Sequence, residues 1–222
     1  MFNKEKLITK FVRITQFATW PILYPLFHVM FRIEIINRHK IDNISRPFII
    51  VANHTNFYDS FIFRIVFGFK YLPLRFMAVT KFDWDFLNKL ADCGIINFVY
   101  SLFGVFTVTP GLGIEKNLIR PIDIIRNGGN VLIYPEGRII HSEHIGPFKK
   151  GAVVLAQKTG RDILPICMKF TKTNSYRKHL KIIILKKFRC PAHKSSDVLT
   201  NELRDIIVAV NDASESYSGR EV

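Results

Sequence analysis

A histidine and an aspartate five residues apart, His54 and Asp59, are the residues of this 222-residue chain whose types and spacing first suggest chemistry. On a continuous helix they would point about 140° apart, so they meet only if the chain turns between them. A carboxylate bound to one imidazole nitrogen fixes the tautomer and leaves the other nitrogen free as a base. The pair therefore indicates a His-Asp dyad that deprotonates a hydroxyl. The ordinary alternative is a hydrogen-bonded histidine beside an aspartate that only caps a helix.

The elements around the pair supply the turn that it needs. Residues 48–52, FIIVA, are wholly apolar and predict a buried strand. A polar segment follows, and Asn56 predicts a helix N-cap with Asp59 at the third helical position. We therefore expect His54 in a turn between a strand and a helix, at an edge of the sheet.

A second junction of this kind carries charged residues. Residues 131–134 predict a buried strand that runs directly into Glu136, Gly137 and Arg138. Open α/β sheets place their sites at such strand ends, and the glycine permits a close backbone approach. For Arg138 the alternative is a surface ion pair. His141 and His144 flank Glu143, but two histidines without a third ligand are typical of a solvated loop, so we predict no metal site.

The rest of the chain predicts an alternation of strands and helices. The further predicted strands are residues 76–79, 104–108, 163–168 and 181–185. The further predicted helices are one that ends near Gly68, residues 81–103, 115–127 and 152–158, and a last one that Ser196 caps. Pro165 within its strand predicts an edge or bulge position.

This order of elements, without repeats or a linker of low complexity, predicts one α/β domain with a mixed, mostly parallel sheet flanked by helices. We assign residues 41–222 to that domain and residues 1–40 to a helical segment that associates with a membrane. Within that segment residues 14–31 are uncharged, 18 in number, and interrupted by Pro21 and Pro25, with basic residues on both sides. A spanning helix needs about 20 residues, so this pattern favours an anchor in one leaflet, on the cytoplasmic face, over a spanning helix. A buried core helix is the alternative, since it would be equally rich in Phe and Ile.

Composition narrows the class of partner. The formal charge of +14 and the pI near 9.8 point to an anionic partner. Twenty phenylalanines and 48% hydrophobic residues favour an anionic membrane surface over nucleic acid, for which no recognisable motif is present. Three widely spaced cysteines, Cys93, Cys167 and Cys190, give neither metal spacing nor a disulfide framework. We expect them to be small buried residues rather than nucleophiles.

Four segments in order resemble the glycerolipid and lysophospholipid acyltransferase family, with the bacterial 1-acylglycerol-3-phosphate acyltransferases as the nearest group. They are NHTNFYD at 53–59, GVFTV at 104–108, YPEGR at 134–138 with PFKKG at 147–151, and ILPI at 163–166. The resemblance implies transfer of a fatty acyl group from acyl-CoA or acyl-carrier protein to a lysophospholipid hydroxyl, in phospholipid biosynthesis and without a cofactor. It makes His54 the general base and Asp59 its orienting partner. The residues predicted to bind substrate are Asn53, Gly104, Glu136, Gly137 and Arg138, with Lys149 and Lys150 added on charge alone.

Two departures from the family pattern leave the acceptor open. Pro110 stands where the second motif usually has arginine, and Arg138 stands where the third usually has threonine before arginine. Losing a charge-assisted contact costs about 1.5–3 kcal/mol, enough to change the preferred acceptor. 1-Acylglycerol-3-phosphate is the expected acceptor, and lysophosphatidylethanolamine or an aminolipid is the alternative. A non-catalytic lipid-binding relative is a further alternative, and the sequence is silent on oligomeric state.

Overall fold

Seven strands form one sheet in the computed structural model, which describes residues 4–56, 58–79, 89, 94, 100–101, 103–109, 111–140, 144–171 and 177–213. The strands are β1 Phe31–Ile36, β2 Ile49–Ala52, β3 Leu74–Val79, β4 Val105–Val108, β5 Asn130–Ile133, β6 Ile163–Thr171 and β7 Lys178–Ile184. Their order is β1-β7-β6-β2-β5-β3-β4. Strands β6, β2, β5, β3 and β4 are parallel, and β7 with β1 runs opposite to them. The predicted mixed, mostly parallel sheet is confirmed.

Helices cover both faces of this sheet. They are α1 Lys4–Met30, α2 His39–Asp42, α3 Asp59–Phe67, α4 Ile114–Arg126, α5 Gly151–Thr159 and α6 Ser196–Ala213. A hydrophobic core lies on each face of the sheet, and successive side chains of β2 alternate between the two. Ile50 lies in the core beside α1 and α3, and Ile49 lies in the core beside α4, α5 and α6. Because β2 lies between β6 and β5, it is buried on both faces, which explains its wholly apolar sequence.

The predicted helical segment of residues 1–40 ends earlier, at Met30, and continues as β1. Strand β1 pairs with β7 along its whole length, from Phe31 with Lys178 to Ile36 with Ile183. Its sequence, FRIEII, alternates charged and apolar residues at 32–35, a period of two that suits a strand at the edge of a sheet. The other predicted strands agree with the structure within a few residues. The helix predicted over residues 81–103 falls almost entirely outside the described residues.

Two local predictions need correction. Strand β6 is not an edge strand, because it lies between β7 and β2. Pro165 is tolerated there since the β7 side bulges: Ile166 pairs with Ile184, yet Ile163 pairs with Phe188, one residue further than a regular ladder would give. Ser196, the predicted cap of helix α6, is instead its first residue, and Ser195 caps it, with Oγ 3.3 Å from the N–H of Asp197.

The N-terminal helix α1 is fastened to the core by polar side chains. Gln16 donates to the carbonyl of Leu74 at 2.6 Å and accepts from the N–H of Leu74 at 2.9 Å. Thr19 accepts from Arg64 of α3 at 2.6 Å, and the Glu5 carboxylate lies 2.7 Å from the Arg75 guanidinium. These contacts hold one side of the helix against α3 and β3.

The other side of α1 exposes a large apolar surface. Its exposed hydrophobic residues are Leu7, Phe11, Ile14, Phe17, Ile22, Tyr24, Leu26, Val29 and Met30. Monomeric soluble proteins rarely expose a continuous apolar area of this extent. Among the described residues, no helix combines the length and apolar character needed to cross a bilayer.

Candidate active site

His54 and Asp59 meet where β2 gives way to α3. The imidazole Nδ1 lies 3.0 Å from Oδ2 of Asp59, and the histidine side chain is 17% exposed while the aspartate is fully buried. A carboxylate at this distance accepts the Nδ1 proton, which leaves Nε2 as a lone-pair nitrogen. Within the described part of the chain, Nε2 has no hydrogen-bond partner. The predicted pairing of the two residues is therefore present.

Asp59 is held in place by the turn that precedes it. Its Oδ2 accepts the backbone N–H of Thr55 at 2.7 Å and of Asn56 at 2.8 Å, and the Thr55 hydroxyl adds a third contact. Asp59 thus reaches back to Asn56 as a capping box requires, although regular helix begins at Asp59 rather than after Asn56. These donors hold the carboxylate in one orientation, so it fixes the ring of His54 instead of rotating.

Glu136 fastens the two predicted strand ends together. Its Oε2 accepts the backbone N–H of His54 at 2.8 Å, and its Oε1 accepts the N–H of Gly146 at 2.9 Å. Burial raises the pKa of Glu136 above its ordinary value, while these two hydrogen bonds oppose the rise. Both carboxylate oxygens are therefore occupied by backbone, and the geometry gives Glu136 a positioning role toward His54.

Tyr134 packs flat against the imidazole of His54, a contact that sequence reasoning missed. The two rings are 3.9 Å apart at 9°, and the phenol oxygen lies 3.2 Å from Oγ of Ser60. Burial raises the pKa of Tyr134 well above its ordinary value, so the phenol stays protonated at neutral pH. The available signal was the aromatic residue at the end of β5, directly before the PEGR turn.

Asn53 is a structural bridge in this site. It is 5% exposed, and its side chain donates to the Met168 carbonyl at 2.8 Å and accepts from the Met168 N–H at 2.8 Å. Both polar ends of its amide are engaged by β6, so it ties the end of β2 to that strand. One N–H and one oxygen lone pair of the amide remain unused by these two bonds, so its predicted contact with substrate stays a prediction.

Two predicted cationic residues lie beside the Glu136 turn. Arg138 is exposed, and its charge opposes the rise in the pKa of Glu136. Gly137 has a φ of 67°, and a Cβ there would lie 2.6 Å from Nζ of Lys149. The glycine therefore lets the Lys149 amine cross the turn. Arg138 and Lys149 together place positive charge near the dyad.

Two other predicted binding residues are not brought to the dyad. Gly104 precedes β4 at the amino end of the sheet, where its backbone contacts Phe76 and a Cβ would meet Leu74 and Gln16. Lys150 points to α6, with Nζ 3.2 Å from the Asp197 carboxylate. Pro110, Cys93, His141 and Glu143 lie outside the described residues.

The described residues offer no competing chemistry. They include no group of three or more His, Cys, Asp or Glu placed to hold a metal ion. Burial raises the pKa of Cys167 and of Cys190 to about 12, so their thiols are poor nucleophiles at neutral pH. The arrangement is a fixed imidazole base with an open nitrogen, a buried carboxylate behind it and two cations beside it.

Comparison with known proteins gives one family. Residues 32–169 match the family model described as Acyltransferase. A chloroplastic 1-acyl-sn-glycerol-3-phosphate acyltransferase of Arabidopsis thaliana is 27% identical over 197 residues, covering 83% of this chain and 49% of that protein. The 1-acyl-sn-glycerol-3-phosphate acyltransferase of Borreliella burgdorferi is 27% identical over 134 residues, 60% of this chain and 49% of that protein. The chain thus spans about half the length of the curated relatives that it matches.

A solved structure shares the fold. The 1-acyl-sn-glycerophosphate (LPA) acyltransferase PlsC from Thermotoga maritima superposes with a TM-score of 0.62 at 17% sequence identity. The match covers 97% of this chain and 83% of that one. The architecture as a whole is therefore common to both.

Proposed function

This chain belongs to the acyltransferase family, whose model matches residues 32–169, and we propose that it acylates the hydroxyl of 1-acylglycerol-3-phosphate. The acyl donor is a thioester, either acyl-CoA or acyl-carrier protein, and the product is a diacylated phospholipid precursor. One observation carries this proposal: His54 Nδ1 is 3.0 Å from the buried Asp59 carboxylate, and Nε2 is open to a substrate. The acceptor is the one named for the curated relatives.

In the proposed mechanism, Nε2 of His54 takes the proton of the acceptor hydroxyl as its oxygen attacks the thioester carbonyl. The new C–O bond forms, the C–S bond breaks, and the departing sulfur receives the proton back from the imidazolium. Asp59 stabilises the imidazolium between these events, because its full burial keeps its charge unscreened by water. No acyl-enzyme is required. Since a thioester is already activated, correct placement of the acceptor supplies much of the rate.

The charges beside the dyad support an anionic acceptor. Arg138 and Lys149 have cationic groups at the Glu136 turn, and phosphate is the natural ligand of such a pair. Lysophosphatidylethanolamine or an aminolipid is the second candidate, favoured by the departure at Arg138 from the usual third motif. A purely lipid-binding role would not require the buried, fully bonded Asp59 behind His54.

The exposed apolar side of α1 supports attachment to a membrane, with the protein on the cytoplasmic face of an anionic bilayer. The net charge of +14 strengthens binding to such a surface. The acceptor and product are lipids, so this location brings the dyad to its substrate.

The test uses purified protein in mixed micelles of detergent and anionic lipid. Labelled acyl-CoA and acyl-carrier protein are each offered with lysophosphatidic acid, lysophosphatidylethanolamine, an aminolipid and monoacylglycerol. Transfer to lysophosphatidic acid that disappears in His54→Ala supports the proposal. Transfer only to another acceptor would identify that lipid as the acceptor in place of lysophosphatidic acid. Undiminished transfer by His54→Ala would refute the proposed mechanism.

A further inference from the structure

The turn that follows α3 joins the exposed surface of α1 through aromatic rings. The Phe69 ring lies 4.5 Å from that of Phe17 and 4.6 Å from that of Trp20, and Trp20 stacks on Tyr24 at 4.5 Å. Phe69 is 38% exposed and Phe17 is 58% exposed. The exposed aromatic patch is therefore continuous between the N-terminal helix and a turn of the catalytic domain.

Basic residues border the same patch. Lys10, Arg13, Phe17, Trp20 and Tyr24 follow one another at intervals of three or four, so they share one face of α1. Lys10 and Arg13 are exposed, and neither has an ionic partner among the described residues.

Arg46 brings a further positive charge to this border from outside α1. It donates to the backbone carbonyls of Lys70 at 2.5 Å and Leu72 at 3.0 Å. Burial, and then the positive charge of Arg13, lowers the pKa of Arg46. The two guanidiniums are therefore close enough to repel each other. Within the described chain no carboxylate pairs with Arg46, whereas the neighbouring Lys70 is paired with Asp42. Like charges gathered without counter-ions favour an anionic partner.

We propose that Phe69 and Arg46 of the catalytic domain complete one docking surface with α1, and that its occupant is the headgroup layer of an anionic bilayer. The proposal rests on the proposed function and makes its membrane contact specific. Tryptophan and tyrosine favour the interface between headgroups and acyl chains, and arginine binds lipid phosphate there. A surface of stacked aromatic rings with a basic border has both properties.

Helix α1 links this surface to the start of α3, where the dyad lies. Helix α1 runs alongside α3, with Phe17 and Trp20 near Phe69 beyond the end of α3 and with Phe27 6.5 Å from Tyr58 at its start. Two attachments, the helix and the turn, fix the orientation of the domain more firmly than a helix alone. The start of α3, where Asp59 lies, is thereby held beside the bilayer from which the acceptor comes.

The test measures partitioning of the full chain to vesicles of phosphatidylcholine alone and of phosphatidylcholine with phosphatidylglycerol. The variants are Phe69→Ala and Arg46→Gln. Their controls are Ile206→Ala, an apolar residue of α6 that is 41% exposed, and Arg189→Gln, whose side chain is 76% exposed after β7. Ile206 lies on α6, across the sheet from α1, and Arg189→Gln removes the same single charge as Arg46→Gln.

We expect Phe69→Ala to lower partitioning to both vesicles by about tenfold. Arg46→Gln should lower it by about fivefold on the anionic vesicles only, and high salt should abolish that difference. The two controls should partition like the parent protein. Parental partitioning by Phe69→Ala, or equal loss in the controls, would overturn the proposal. So would a parent dimer that Phe69→Ala dissociates while vesicle binding persists, because the occupant would then be a second copy.

Acyl transfer in detergent micelles separates this inference from the proposed function. Phe69→Ala and Arg46→Gln should keep parental turnover there, since neither residue touches the dyad. A parent protein that shows the partitioning differences but transfers no acyl group would refute the proposed function and leave the docking surface standing. Parental transfer without the partitioning differences would support the proposed function and refute the docking surface.

Discussion

Glu136 accepts the backbone N–H of His54 at 2.8 Å, so a residue 82 positions away along the chain holds the turn that carries His54, the proposed base. The sequence motif had suggested that this carboxylate binds the acceptor headgroup. Because its other oxygen accepts the N–H of Gly146, it has no oxygen left that is free of backbone. We therefore propose that Glu136 affects turnover through the position of His54.

This relationship predicts the behaviour of Glu136→Gln. The amide can accept only one of the two backbone N–H groups, so one of them loses its partner at a cost of about 1–3 kcal/mol. We expect a lower free energy of unfolding in urea and a lower kcat with little change in KM for the acceptor. A variant with a raised KM and an intact kcat would restore the headgroup-binding role.

Replacing the dyad residues should separate chemistry from folding. His54→Ala should lower kcat by about 10²–10⁴-fold, the usual contribution of a general base. Asp59→Asn should cause a loss of similar order, because an amide stabilises the wrong imidazole tautomer. His193→Ala, an exposed histidine before α6, serves as the control. Binding to anionic vesicles should be unchanged in all three, and a fully active His54→Ala would contradict the assigned base.

Tyr134 allows the stacking and the hydroxyl to be tested separately. Tyr134→Phe keeps the ring 3.9 Å from the imidazole and loses only the contact with Ser60, so we expect kcat within about threefold of the parent. Tyr134→Leu removes the stack and frees the ring of His54 to rotate, which should cost more than tenfold in kcat. If both variants behave alike, the stacking has no positioning role.

Asn53 should matter for stability rather than for substrate affinity. Asn53→Ala leaves the N–H and the carbonyl of Met168 without their buried partner, at about 1–3 kcal/mol for each group. We expect a reduced urea midpoint with an unchanged slope, and an unchanged KM in conditions where the variant stays folded. An increased KM at parental stability would show that Asn53 binds substrate after all.

Charge removal at the turn should reveal the acceptor. Arg138→Gln and Lys149→Gln should each raise KM for lysophosphatidic acid by about tenfold, the loss of one charge-assisted contact, and leave monoacylglycerol acylation unaffected. Lys150→Gln is the matched control, because its amine is turned to Asp197. Equal effects on the charged and the neutral acceptor would exclude a phosphate contact at this turn.

Contacts between residues close along the chain could be predicted from the sequence, and contacts between distant residues could not. His54 and Asp59 are close along the chain, and the strand, the turn and the cap that bring them together are all local patterns. The stack of Tyr134 and the bond from Glu136 join β5 to β2, and only the pairing of those strands places them there. The motif order still located these residues at the correct strand end.

The errors have the same origin. Gly104 belongs to a motif of the family, yet no local pattern tells which end of the sheet its strand begins from. Pro165 predicted an edge strand because proline cannot donate to a ladder, whereas the structure keeps the strand central by a bulge in its neighbour. Strand β1 was not predicted, because the uncharged residues 14–31 run without a break into Phe31. The change there from the period of a helix to the period of two of a strand is therefore not visible in the sequence.

Gln16 occupies, for Leu74, the position that a neighbouring strand would fill, since β4 begins opposite Phe76 and leaves Leu74 without a ladder partner on that side. Helix α1 therefore also completes the hydrogen bonding of β3 at Leu74. Trimming the chain to Phe31 to obtain a version that needs no detergent would leave the N–H and the carbonyl of Leu74 without Gln16 and would uncover the apolar core beneath α1. Such a product would exchange affinity for lipid for self-association through that uncovered apolar surface.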